Sequence, residues 1–481
     1  MSEKSLSQKI VSGVKWKTAE RISLQIMNAV TPIILARILS PDDFGVVAIL
    51  SVFISIANTF VNNGLCNAIV QKKDCDNVDC STVFFTQFSI AVICYVVLFF
   101  AAPFIAAYYA NSMLAPMLHV MSLSLIIGAF SSMHVAILKK NMMFNRSFII
   151  NGVAVVSYGV VGIGCAMMGM GCWSLVFANV AQSLGLSLMR VLVIRWRPDF
   201  VFSFSRLARL FSYSWKLTVG WFIGTLHQDI YTLVIGKKFS SAVLGFYNRA
   251  VSIPTIFSKT ITEVSDGVMF PALASIQNEK ERFKEMSRRF LSTNAFIIFP
   301  IFFGLSAIAK PLTLVLLTEK WLPSVPMMRI VCITFSLNAL NNSNMQIFNS
   351  IGRSDIFMKF ELVKRTLSIV LLVVMSFVSI YAVICVLLLM AILSNAMNSW
   401  QNSRLIGYEY IQQVRDIAPT VCSAAIMAIC VYIVGVLAEG RGMANIIILA
   451  IQLVAGVLIY GSLAFLFKIE AIKTILSRIR R

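Results

Sequence analysis

The feature that most constrains this chain is the repeated return, from residue 19 to residue 467, of apolar stretches about 20 residues long joined by short polar segments. A helix of that length matches the hydrocarbon thickness of a bilayer, and in lipid only helices or closed barrels satisfy their own backbone polar groups. About fourteen stretches qualify, near 19–38, 43–66, 82–106, 115–138, 148–170, 172–194, 213–236, 249–273, 291–317, 325–350, 359–379, 380–402, 416–437 and 443–467. The predicted fold is therefore an all-α polytopic membrane protein. Composition agrees: 58% of residues are hydrophobic and 13% charged, whereas soluble domains carry about 25% charged residues.

A net charge of +20 raises the question of nucleic acid. The basic residues, however, are scattered through short joints rather than gathered on one polar face, and topology accounts for them. Lys139, Lys140 and Arg146, the run from Lys280 to Arg289, and the tail Arg478, Arg480 and Arg481 all fall on one side if both termini are cytoplasmic. Residues 1–18 hold no apolar core of a signal peptide; Leu6, Ile10 and Val14 recur at helical spacing among lysines, which suits an interfacial helix. The ten cysteines include no CxxC pair, and Cys75 and Cys80 share a polar loop without a neighbouring histidine, so reduced thiols and no metal site are expected.

The chain repeats itself at an offset of two hundred residues. Leu39 meets Phe239, Ser40 meets Ser240, Phe44 meets Leu244 and Gly45 meets Gly245. Both copies join an odd-numbered stretch to the next, so the halves form a parallel repeat, as in many transporters. The predicted organisation is an interfacial segment 1–18, a six-helix lobe 19–200, a second six-helix lobe 201–403, and an appended helix pair with a basic tail, 404–481.

Between Leu35 and Gly45 the sequence reads LARILSPDDFG. Ser40 is suited to cap the second helix, Pro41 needs no amide partner at its first position, and Asp42 and Asp43 lie at the positive end of its dipole. This stretch resembles the first inter-helix signature of bacterial polysaccharide exporters of the Wzx and WzxC type, in the multidrug/oligosaccharidyl-lipid/polysaccharide superfamily. The segment Leu244 to Ala250, then Phe270-Pro271-Ala272-Leu273 with Gln277, then Lys320-Trp321 with Pro326, and Gly352-Arg353 are similar to that family's later landmarks, in order. The resemblance implies an inner-membrane flippase for an undecaprenyl-diphosphate-linked oligosaccharide, with two lobes that alternate access. It further implies contact with membrane lipids and with a polysaccharide polymerase and other assembly proteins.

Ionisable residues in apolar helices mark candidate sites, because each costs roughly 2.5–3.5 kcal/mol at bilayer depth unless it faces a bundle interior or water. In the seventh stretch Lys216, Gly220, His227 and Tyr231 share a face, with Asp229 off it. In the eighth, Lys259, Glu263 and Asp266 share another. The tenth carries an amide stripe, Asn338, Asn341, Asn342, Gln346 and Asn349, and shorter polar stripes run through Ser51, Ser55, Asn58 and Asn62 and through Arg21, Gln25 and Asn28. For a lipid diphosphate sugar, Lys216, His227, Arg249, Lys259 and the amides Asn338, Asn341, Asn342 and Gln346 are the expected cavity groups. Glu263, Asp266 and Asp229 are the expected coupling groups for H+ or Na+. Interhelical hydrogen bonding or a Lys259–Glu263 ion pair would be the purely structural use of the same residues. Gly220 and Gly224, four apart, are read as a packing pair.

No cofactor is expected, and no Walker A, metal cluster or serine triad is present. A peptidoglycan-precursor flippase and a cation-coupled multidrug exporter are rival transporters on the same scaffold. A membrane glycosyltransferase or ligase is disfavoured, since the outer joints are too short for a catalytic domain.

Overall fold

The computed structural model describes residues 30–62, 64–72, 74–352, 354–467 and 469, apart from the side chains of 144, 213, 264, 266, 268 and 354–359. The predicted interfacial segment and the stripe from Arg21 to Asn28 lie outside the described residues. Among those residues there are helices and no strands. The chain divides by its contacts into Met1–Gly245 and Phe246–Arg481.

The first unit contains α1 (30–38), α2 (Pro41–Val61), α3 (Leu65–Gln71), α4 (Asn77–Tyr108), α5 (Leu114–Phe130), α6 (Ser132–Lys140), α7 (Phe144–Met167), α8 (Cys172–Val193) and α9 (Phe204–Lys238). α2 begins as its sequence dictates. Ser40 Oγ accepts from the Asp43 amide at 3.2 Å while Asp43 Oδ2 accepts from the Ser40 amide at 2.8 Å, a reciprocal capping box with Pro41 in the first turn. α4 uses the same device with Asp76 and Asp79. α7 packs on α8, α4 on α5, and α2 touches α4, α5, α8 and α9. α5 and α6 meet at a 42° bend. At Ser131 the backbone amide bonds Gly128 O at 3.1 Å, three residues back, and the hydroxyl takes a bond from Arg190 Nη1 at 3.2 Å, so the regular ladder is interrupted there.

α10 (Ser241–Ala274) starts in the first unit and continues into the second. The second unit adds α11 (Lys280–Ala307), α12 (Ala309–Leu316), a 3-10 turn (Glu319–Trp321), α13 (Ser324–Ser350), α14 (Ser354–Met375), α15 (Ile380–Ile406), α16 (Tyr410–Gly440) and α17 (Asn445–Leu466). α13 lies between α11 and α15, α16 packs on α11, and α17 packs on α16 and α12. Gly407, at φ +64°, ends α15 in the left-handed conformation that glycine adopts without strain. The buried core here gathers Leu291, Ala295, Phe299, Leu340, Tyr408 and Ala424.

Every stretch predicted to cross a membrane is helical over most of its described length. By length and composition eight helices among the described residues can cross, or nine if α5 and α6 form one broken span. α13, at 27 residues, has the length but not the apolarity, because its amides lower its hydropathy. The chain is an integral membrane protein.

The two copies of the internal repeat meet in the first unit. A Cβ built on Gly45 would overlap the carbonyl oxygen of Ser241, and one built on Gly245 would overlap the carbonyl oxygen of Pro41. Under the two-hundred-residue offset these contacts are equivalent, so the starts of α2 and α10 cross about a local two-fold, each glycine admitting the other copy's backbone. Ser241 Oγ also donates to Asp42 Oδ1. The pair predicted from Gly220 and Gly224 behaves differently: among the described residues, a Cβ on either meets no atom within 4 Å. The packing role assigned to that pair is corrected, and the close approach belongs to Gly45 and Gly245.

Candidate functional site

Polar side chains in the apolar helices collect along two seams, one in each unit. In the first unit α9 runs antiparallel to α2, so positions four apart on one meet positions four apart on the other. Asp229 hydrogen-bonds Ser55. One turn along, Thr59 and Thr225 hydroxyls lie 3.3 Å apart, and beyond them Phe60 and Phe222 rings are 5.1 Å apart at their centroids. The predicted Ser51-to-Asn62 stripe of α2 thus includes the partner of Asp229. His227 is half-buried and Lys216 is exposed on the same helix. Near the end of α9, the Lys237 amine lies 4.2 Å from the Tyr108 ring centre and donates to the Tyr108 carbonyl.

In the second unit the amide stripe of α13 faces a stripe on α15 that sequence reasoning missed: Asn395, Asn398, Ser399 and Asn402, at i, i+3, i+4 and i+7. Asn398 Nδ2 donates to Asn341 Oδ1 at 2.7 Å, and Asn402 Nδ2 to Asn344 Oδ1 at 3.0 Å. Asn395 Nδ2 donates to the Leu337 carbonyl at 2.8 Å. α14 brings a cation to this seam. Lys364, only 6% exposed, donates to Glu361 Oε1 at 2.9 Å and to Asn398 Oδ1 at 3.3 Å, while Arg365 holds the other Glu361 oxygen at 3.3 Å. At the other end, Ser399 donates to Gln413, Gln413 to the Tyr408 carbonyl, and the Tyr408 hydroxyl to Asp416, which Arg288 clamps through two bonds of 2.8 Å. Burial, then the Asp416 carboxylate that accepts its proton, push the Tyr408 phenol upward. These bonds tie α14, α13 and α15 together at one end of the seam, and α15, α16 and α11 at the other.

The sequence-predicted residues are placed unevenly by this geometry. Asn341 is committed to α15. Asn342 and Gln346 are half-buried beside it, and Asn338 is exposed. Arg249 is buried, with its guanidinium 5.3 Å from the centre of the fully buried Trp321 ring; Phe246 meets the same ring edge-on. Two of the sequence landmarks, Leu244 to Ala250 and Lys320-Trp321, therefore meet in one packed anchor. On α10, Lys259 and Glu263 are both exposed, and the side chain of Asp266 lies outside the described residues. Asp229 belongs to the first unit, and Glu263 and Asp266 belong to the second.

A cavity of about 220 Å³ in the second unit is lined by Lys310, Arg329, Tyr432, Glu439 and Gln452, and adjoins an apolar cleft flanked by Phe303, Ile333 and Ile429. Arg329 stacks 5.0 Å from the Tyr432 ring centre and Lys310 pairs with Glu439. None of the sequence-predicted residues line it.

The long apolar helices, with paired charges and amides held along them, are those of a polytopic membrane protein. Residues 34–326 match the model of the polysaccharide biosynthesis protein family, and the chain belongs to that family. It is 26% identical over 376 residues to the Escherichia coli lipopolysaccharide biosynthesis protein WzxC, covering 77% of this chain and 76% of that one. It is 23% identical over 359 residues to the Rhizobium meliloti succinoglycan biosynthesis transport protein ExoT, covering 74% and 72%. The fold is similar to that of the lipid II flippase MurJ in an inward closed conformation, with a TM-score of 0.71 at 14% identity over 95% of this chain and 99% of that one.

Proposed function

We propose that this protein is a flippase that carries an undecaprenyl-diphosphate-linked oligosaccharide repeat unit across the bacterial inner membrane, for exopolysaccharide, capsule or O-antigen assembly. The observation that supports this most is the family match over residues 34–326 on an all-helical membrane chain. Both termini lie in the cytoplasm, and the two six-helix lobes, 19–200 and 201–403, alternate access. The chemistry of such a cargo suits the residues available. Lys216, His227 and Lys259 would meet the diphosphate or acidic sugars, and Asn338, Asn342 and Gln346 would meet hydroxyls. Asp229, Glu263 and Asp266 would couple H+ or Na+. A polymerase and other assembly proteins receive the flipped unit.

The reading is tested by thermal melting of the purified protein in detergent. An undecaprenyl-diphosphate saccharide that binds the folded state should raise the melting midpoint, and about 2.7 kcal/mol of stabilisation is available at a hundredfold excess over Kd. No shift with that lipid, together with a shift given by a cationic dye, would favour the multidrug-exporter alternative.

A further inference from the structure

Cys75 and Cys80 flank the Asp76 cap of α4, the first in the loop after α3 and the second in the first turn of the helix. Both are free, half-buried thiols, and their sulfurs are 3.5 Å apart. Charged groups close on them from three elements. Lys72 follows α3, Lys140 ends α6 and donates to the Lys72 carbonyl at 2.9 Å, and Asp79 belongs to α4. The Cys80 thiol donating to it, followed by the Lys140 and Lys72 ammonium groups, lowers the Cys75 thiol to about 7, against the opposing effects of burial and Asp79. Cys75 is thus part thiolate at neutral pH, with a second thiol already in contact.

We propose that Cys75 and Cys80 are a redox-responsive modification site, a dithiol that closes to an intramolecular disulfide when it meets a small-molecule disulfide such as oxidised glutathione. The Cys75 thiolate attacks one sulfur of the reagent, forming a mixed disulfide and releasing one thiolate. Cys80 then gives up its proton to solvent, attacks the Cys75 sulfur and expels the second thiolate. The protein loses two electrons and two protons, and the reagent leaves as two reduced thiols. The sulfurs must close to a bond of about 2.05 Å, and Cys75, outside the helix, is the side able to move. The bond would fasten the α3–α4 loop where Lys72 pairs with Asp79 and where Arg206 of α9 pairs with Asp76 and Asp79.

The test uses the full chain in detergent, oxidised glutathione, and mass spectrometry of the peptide spanning residues 75–80. The wild type should lose about 2 Da and retain no glutathione. Cys80→Ser should stop at a glutathione adduct on Cys75, and Cys75→Ser should react at least tenfold more slowly at pH 7. The wild-type rate should rise through about pH 7, because the thiol is protonated and inert below that value and a thiolate above it. A stable glutathione adduct on the wild type, two thiols still open to alkylation after oxidation, or undiminished reaction in Cys75→Ser would each overturn the proposal.

Discussion

Replacing Gly45 or Gly245 by alanine is expected to destabilise the protein more than any other single methyl group added to it. At each position the new Cβ falls onto a backbone carbonyl of the other repeat copy, Ser241 or Pro41. A carbonyl cannot turn away as a side chain can, so the crossing of α2 and α10 must open. Overpacking typically costs about 1–3 kcal/mol, and a backbone neighbour places these two at or above the upper end. Because the two sites share one crossing, the double variant should lose less than the sum of the singles. Gly220→Ala is the control: its added Cβ meets nothing within 4 Å among the described residues, so its melting midpoint should stay near that of the wild type or rise slightly. Melting curves of the purified variants decide the matter, and equal midpoints for Gly45→Ala and Gly220→Ala would refute the crossing.

The second large effect is expected at Lys364. Methionine in its place keeps the length and removes the amine, leaving Asn398 Oδ1 without the cation in a residue that is 1% exposed. Glu361 keeps Arg365 as a partner, so no carboxylate is stranded. The loss should therefore be that of an orphaned buried acceptor, about 1–3 kcal/mol, read as a fall of several degrees in the midpoint. Arg289→Ala removes the exposed pair with Glu285 and should change the midpoint little. A Lys364→Met protein that melts with the wild type would show that the α13–α15 seam does not depend on its cation.

Much of this was legible before the fold. Length and apolarity gave the helices, and the cap at Ser40 formed as its residue types require. The repeat pointed to Gly45 and Gly245 but not to their contact, because an offset says that two segments are alike and says nothing of whether they touch. The α13 amide stripe was visible as a periodicity. Its partner on α15 was also there to be read, since Asn395, Asn398, Ser399 and Asn402 keep one face, but those residues stand in a strongly apolar helix whose one charge, Arg404, lies in its last turn. Lys364 was hidden for a different reason: in sequence it sits with Glu361 and Arg365 like an interfacial cluster, and only packing buries it. The Gly220 and Gly224 spacing matched a packing motif, yet a motif supplies small residues and no neighbour.

The most direct measurement is flipping itself. Purified protein is placed in liposomes with a labelled undecaprenyl-diphosphate oligosaccharide, and the rate at which the saccharide becomes accessible to an impermeant reagent on the opposite leaflet is followed. The flippase account expects transfer well above protein-free vesicles, reduced by Lys259→Ala and by Asp229→Asn at equal protein levels. Transfer no faster than in empty vesicles, from protein that still melts cooperatively, would contradict it.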